Sequence, residues 1–468
     1  MKHFDILVLG SGPAGHHAAI QAAKLGKKVA VVEKRQWLGG VSVNTGTIPS
    51  KTMREAVLYL TGLRQRCLYG MSYAVKQDIA IEDLRFRTDY VVKIEGDVFL
   101  AQFQRNHVEL IHGTASFLDP HRIQAKGAED VEDYTADVVV IATGTSPARP
   151  DRIPFDRIAV LDSDMFLHIP ALPRTITIVG AGVVGVEYAC MTGALGIPTT
   201  IVELRDRMLE FVDAEIIETL RVRMREMNVT FRFGEEVVNV RKTAEGVVIA
   251  DLKSRKEIRS DALLYTVGRQ GNTAELNLEA AGIEADDRGR ILVNEHFQTR
   301  VPHIYAVGDV IGFPSLASVS MEQGRLAACH AFGVPASSVP ALFPYGIYTI
   351  PEISYVGQTE EQLTRSQIPY EVGVARYREI ARGNIIGDPY GMLKLLFHRE
   401  TKQLLGVHII GEGAAELVHI GQAVLAFGGG LDFFLNNVFN YPTLAECYKV
   451  AALSGVNKIS PSIAVVLR

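Results

Sequence analysis

Apolar residues in this chain gather in short uninterrupted runs. The runs Phe4–Leu9 and Thr175–Val179 end on glycine-rich turns, GSGPAG at Gly10–Gly15 and GAGVVG at Gly180–Gly185. Continuous valine- and isoleucine-rich runs of this length predict strands buried on both faces of a parallel sheet. After each turn the spacing becomes helical, in HHAAIQAAKLG and VEYACMTGALG, and then strand-like again, in KKVAVVEK and PTTIVE, which close on Glu33 and Glu203. Gly10 to Glu33 and Gly180 to Glu203 both span 23 positions, so the unit is an internal repeat.

Each part of the unit has a mechanical purpose. Gly10 allows the tight turn, Gly12 (followed by Pro13 and Ala14) lets backbone amides approach a pyrophosphate, and Gly15 lets the helix pack on the strand. The pyrophosphate then meets the free N–H groups and positive dipole of a helix start. Glu33, with Lys34 after it, stands where a carboxylate accepts the hydroxyls of an adenosine ribose. The second copy repeats the plan with Gly180, Gly182, Val183, Val184, Gly185 and Glu203. The fold class is therefore α/β, with two Rossmann-like dinucleotide-binding domains. The economical pairing is FAD held by the first and NAD(H) or NADP(H) visiting the second. A carboxylate at Glu203 favours NAD(H), because it repels a 2′-phosphate. Arg205 and Arg207 follow closely, and either is a phosphate clamp or a solvated loop charge.

Between and after the repeats the pattern predicts a helix in TMREAVLYLTGL and a polar helix around Asp89 to Arg105. Short strands follow in HVELIHGTASF and HRIQA, then a strand in ADVVVIATG ending on Ala142, Thr143 and Gly144. HIYAVGDVIGFPSLASVSMEQGRLAA, from His303 to Ala328, reads as strand, Gly308–Asp309 turn and a helix from about Ser315 that includes Ala317. From about Pro340 the texture changes to α+β, with strands GMLKLLFH and QLLGVHIIG and a helix GAAELVHIGQAVLAF.

Composition narrows the picture. The 468 residues suggest about three domains. A net charge of −5, with scattered lysine and arginine, offers no face for nucleic acid. No apolar run approaches the ~20 residues of a membrane helix, and the N-terminal run enters a glycine turn rather than a leader cleavage site, so a cytoplasmic enzyme is expected. Cys67, Cys190, Cys329 and Cys447 have no CxxC spacing and are expected to be buried reduced thiols, with no metal site.

The segment Gly39–Lys51, GGVSVNTGTIPSK, resembles GGxCxNxGCxPSK, the active-site signature of the FAD-dependent pyridine nucleotide-disulfide oxidoreductases. The cysteine positions hold Ser42 and Thr47, and a hydroxyl forms neither a disulfide nor a thiolate. The resemblance, from Phe4 to about Ser454, implies an FAD domain of residues 1–150 and 270–338, an NAD(P) domain of 151–269 and a dimerisation domain of 339–468. It implies flavin contacts at Gly39, Gly40, Val41, Ser42, Lys51, Ala115, Thr143, Gly144, Gly308, Asp309 and Ala317, with Asp309 on the ribityl chain. Val237, Gly268 and Arg269 would stand where the NAD(P) domain closes on the nicotinamide dinucleotide and the chain returns to the flavin domain. Lys51 and Glu187 match the family's ion pair beside the flavin, and Thr47 stands at its reacting face. FNYPTLAE, Phe439–Glu446, is similar to the family's HxHPTxxE, with Tyr441 in place of the partner-subunit histidine and Glu446 retained.

Within the family, GTIPSK, GRQGNT, PSLAS, GIYTIPEIS, LFHRETKQLLG and FNYPT are similar to the branch that exchanges hydride between NADPH and NAD+. That resemblance implies a homodimer working by a ping-pong cycle through FAD. A diaphorase or oxidase passing electrons to a quinone or oxygen, and a flavin-binding redox sensor, are the alternatives on the same scaffold.

Overall fold

The computed structural model describes residues 1–338 and 342–459. The expected change of texture at Pro340 and the tail beyond Ile459 lie outside them.

The first body is built on parallel strands in the order Glu109–His112, Val29–Glu33, Lys2–Leu9, Val131–Ile141, Ile304–Ala306. Their inner residues are almost wholly buried, as unbroken apolar runs demand. The register aligns Leu9 with Val32 and Ile141, and Ile141 with Ala306, so the loops after all four strands leave one edge of the sheet together. Ligands of open α/β sheets bind at that carboxyl edge. The strand Val131–Ile141 also starts an antiparallel meander with Arg122–Lys126 and Thr114–Asp119, where Ala115 is buried opposite Ala125. Helices Pro13–Lys24 and Ala317–Ala331 lie against each other at Gly324, where an added Cβ would sit 2.0 Å from the Ala14 carbonyl oxygen.

The second body repeats the plan, with parallel strands in the order Val229–Phe233, Thr199–Glu203, Ile176–Val179, Ala262–Tyr265, Val160–Asp162. It adds an antiparallel three-stranded sheet, Val237–Lys242, Val248–Leu252 and Glu257–Ser260. The chain passes between the two bodies through Thr145–Pro147 and Arg269–Gly271, which pair antiparallel as a small ribbon.

The third body is a five-stranded antiparallel sheet in the order Tyr345–Ile347, Ile353–Gly357, Leu404–Ile410, Met392–His398, Tyr370–Arg376. It is backed by helices Ala414–Ala426 and Glu446–Ile459. On it Lys394 is 0% exposed, with its ammonium 2.8 Å from Asp213 and 3.2 Å from Glu215 of the second body and bonded to Glu360. Three carboxylates this close could surround a metal ion, but the ammonium stands among them.

Several expectations shift. The helix expected in TMREAVLYLTGL runs Thr47–Thr61, starting five residues earlier than its apolar spacing implies. The polar helix runs Ile81–Arg105, because the Asp83 carboxylate accepts the Ala80 amide at 2.8 Å and caps a start eight residues before Asp89. The helix expected from Ser315 begins at Ala317. Cys67 is exposed, against the expectation of burial, because it sits on a four-residue surface helix with no buried face, whereas Cys190, Cys329 and Cys447 are buried. No helix among the described residues is long and apolar enough to cross a membrane.

Candidate active site

At the first carboxyl edge the chain crowds glycines together. Gly10 has φ +107°, and a Cβ there would lie 2.5 Å from the Ala142 carbonyl oxygen. Gly12 faces the Gly40 Cα, and Gly308, at φ +79°, faces the Ala14 methyl. The loops carrying Gly10–Gly15, Gly39–Ser42, Ala142–Gly144 and Gly308–Asp309 thus meet in one cleft. The helix Pro13–Lys24 opens on Gly12 with no side-chain cap and no acid in its first turn, leaving its amides free for an anion.

Glu33 is buried at the rim. One carboxylate oxygen accepts the Ser11 amide at 2.9 Å and the Ser11 hydroxyl at 2.6 Å, and the other accepts the Arg35 amide at 2.9 Å. The same Ser11 hydroxyl accepts the Gly39 amide at 3.2 Å, tying the acid to the GGVSVN turn. Lys34 pairs with Glu275.

The second edge is built alike. Gly180 has φ +104°, and the Ala181 amide donates to Glu203 at 2.7 Å as Ser11 does to Glu33. The helix Val183–Ala194 opens on Gly182 uncapped, and a Cβ on Gly182 would meet nothing within 4 Å, so the loop faces open space. Val183 and Val184 are half-buried at its start, and Gly268 lies beside Ala148. Val237 is buried in the core with Val202 and Tyr265.

Glu203 departs from the simplest expectation. Its carboxylate is gripped by Arg205, with Nε at 3.0 Å and Nη2 at 3.3 Å, so the acid that should select an unphosphorylated ribose is already partly neutralised. Burial pushes the Glu203 carboxyl up, but the Arg205 guanidinium and the Ala181 amide outweigh it and hold the pKa below the ordinary range. Arg205 is 48% exposed, while Arg207 pairs at 3.7 Å with Glu361.

Between the two edges lies the ion pair. Lys51, on the helix Thr47–Thr61, reaches Glu187, on the helix Val183–Ala194, at 2.7 Å, with side-chain exposures of 25% and 6%. Thr47 is exposed at the helix start and Ser42 half-buried on the preceding turn, Gly40–Asn44.

Thr145, Asp164 and Thr45 are contributors not apparent from motif reading. Arg269 donates to the Thr145 hydroxyl at 2.7 Å and to its carbonyl at 2.9 Å, and Thr145 in turn donates to Asp309 at 3.3 Å. Burial raises the Asp309 carboxyl despite Arg269 and Thr145. Asp164 is likewise raised by burial, against the pull of Arg269. Among the described residues, the buried hydroxyls of Thr45 and Thr143 have no hydrogen-bond partner. Underbonded hydroxyls and a buried acid beside a glycine cleft fit the polyol and phosphates of a flavin dinucleotide. Tyr441 is 73% exposed, and the buried Glu446 Oε2 has no partner among the described residues.

Residues 4–324 match the family described as pyridine nucleotide-disulphide oxidoreductase, and residues 343–452 match that family's dimerisation domain. The chain is 56% identical over 98% of each sequence to a soluble pyridine nucleotide transhydrogenase of Mycobacterium bovis. It is 44% identical to the enzyme of that name from Yersinia pestis, over 98% of this chain and 99% of the other. Among solved structures it resembles LpdA from Mycobacterium tuberculosis, with TM-score 0.88 and 27% identity, covering 97% of this chain and 99% of that one. It also resembles the flavoprotein disulfide reductase RclA from Escherichia coli, with TM-score 0.87 and 25% identity over 97% and 99% of the two chains.

Proposed function

The chain belongs to the pyridine nucleotide-disulphide oxidoreductase family, and on that premise we propose that it transfers hydride between NADPH and NAD+ (NADPH + NAD+ = NADP+ + NADH) in alternate visits to one nicotinamide site. The observation that carries this reading is the pairing of an intact Lys51–Glu187 bridge with Ser42 and Thr47 where the dithiol would stand. Without thiols in that segment no second electron store adjoins the flavin, so a reductant and an oxidant of nearly equal potential suffice.

We assign flavin binding to residues 1–150 and 270–338, nicotinamide nucleotide binding to 151–269 and dimerisation to 339–468. The enzyme would act as a cytoplasmic homodimer; the match of residues 343–452 to a dimerisation domain supports the second copy. Bound FAD supplies the hydride acceptor and donor. The amides after Gly12, the buried Asp309 carboxyl and the hydroxyls of Thr143 and Thr45 would hold its phosphates and polyol. Lys51, oriented by Glu187, would put positive charge where negative charge develops at the ring. Open space beside Gly182, with Val183 half-buried next to it, supports the approach of a nicotinamide there.

Purified protein is expected to be yellow, to bleach with NADPH under argon and to recover its colour with NAD+. Dithionite should deliver one electron pair per subunit. Recovery only with oxygen or a quinone would make the protein a diaphorase, and uptake of a second pair would reveal a store that Ser42 and Thr47 cannot form.

Glu203 and Arg205 would set nucleotide choice. Glu203→Ser frees Arg205 for a 2′-phosphate and should lower KM for NADPH about tenfold, the worth of one charge-assisted contact, while raising KM for NADH. Steady-state kinetics with each nucleotide check this; an unchanged KM for NADPH would put the ribose contact elsewhere.

A further inference from the structure

Glu187 spends its two carboxylate oxygens on different bodies. Oε2 takes the Lys51 ammonium at 2.7 Å, and Oε1 accepts the backbone amide of Tyr348 at 2.9 Å. The Tyr348 ring stands 5.1 Å from the Lys51 ammonium, within cation–π range. Tyr348 follows the strand Tyr345–Ile347 of the third body, so one residue touches both members of the pair from outside the two nucleotide-binding bodies.

The segment after Tyr348 is pinned. Arg54, one turn beyond Lys51 on the same helix, donates through Nε to the Thr349 carbonyl at 2.9 Å and lies 3.5 Å from the Glu352 carboxylate. The Thr349 hydroxyl donates to the Pro351 carbonyl at 2.6 Å, and the Glu352 carbonyl accepts the Gly411 amide at 2.9 Å. The Lys51 helix therefore grips Tyr348–Glu352 at two successive turns, by ammonium on ring and by guanidinium on carbonyl. Burial, with Glu352 and Glu187 nearby, raises the Tyr348 phenol above its ordinary value, so at neutral pH the ring faces Lys51 uncharged.

We propose that Tyr348 is a positioning residue for Lys51: its ring and its amide fix the ammonium and the carboxylate together, so that the third body sets where the positive charge sits. The proposal rests on the reading of the cleft as a flavin site, and it concerns the side chain separately from the amide, which any residue at 348 keeps.

The test uses flavin-loaded protein carrying Tyr348→Leu, Tyr348→Phe and Lys51→Met, with Tyr348→Met in reserve if the leucine variant does not hold flavin. Tyr348→Leu should slow bleaching at saturating NADPH about 5- to 20-fold while changing the NADPH Kd less than about twofold. It should also move the visible flavin band recorded without nucleotide, and Tyr348→Phe should recover both properties. In the Lys51→Met background Tyr348→Leu should add nothing, because the ring has no cation to place. A leucine variant equal to wild type, a phenylalanine variant as slow as leucine, or an undiminished loss without Lys51 would each overturn the proposal. Wild-type protein that holds no flavin, or does not bleach with NADPH, would instead defeat the functional reading beneath it.

Discussion

Replacing Lys51 by methionine is expected to slow bleaching of the flavin by NADPH about 100- to 1,000-fold, the range for removing one preorganised charge from a reacting centre. The same change leaves Glu187, 6% exposed, without a counter-ion, which should lower unfolding stability by about 3 kcal/mol. The two losses are separable. Adding Glu187→Gln to Lys51→Met removes the stranded charge and should restore most of the stability without restoring the rate. Stopped-flow absorbance and urea unfolding measure the two effects. A bleaching rate within threefold of wild type would take Lys51 out of the reaction.

Lys394→Met should be the most destabilising substitution away from the cleft, costing about 3–5 kcal/mol, because Asp213, Glu215 and Glu360 would face one another around an apolar side chain. Asp213 also caps the helix Ala214–Glu226 by accepting the Glu215 amide at 3.1 Å, so the damage should reach the second body. Burial works against the Lys394 ammonium, but Asp213 and Glu360 outweigh it and raise its pKa. Its contribution is therefore complete through neutral pH and fades only as pH rises past the ordinary lysine range. His408, buried nearby, behaves in the opposite sense. Burial lowers its pKa, so the folded protein refuses a proton that the unfolded chain accepts, and stability falls as pH drops below about 6.5. Urea midpoints across pH, with and without Lys394→Met, check both directions; a variant within 1 kcal/mol of wild type would mean the carboxylates relax into solvent.

What the sequence disclosed followed the range of the forces involved. The two glycine turns and their terminal acids are legible because strand, turn, helix and strand are each local, and the interval from Gly10 to Glu33 recurs from Gly180 to Glu203. The Lys51–Glu187 pair joins residues 136 positions apart, and only the resemblance linked them. Tyr348 and Thr145 had no such help, since each works through partners on other strands or helices. Arg205 was visible as a charge near Glu203, but whether it faced solvent or the carboxylate depended on side-chain geometry that spacing does not encode. Lys394 was hidden for another reason. In Met392–His398 six of the seven positions are buried, so alternation gives no sign that the lysine points into the protein.

The paired strands Thr145–Pro147 and Arg269–Gly271 carry a consequence for modularity. A chain that departs and returns through adjacent strands has its two crossing points about 5 Å apart, the spacing of an antiparallel pair. Everything between them leaves and returns at one place, so a unit of different nucleotide preference can be exchanged for it without re-routing the strands of the first body, provided the new unit keeps a carboxylate for Lys51 and for Lys394 where Glu187 and Asp213 stand.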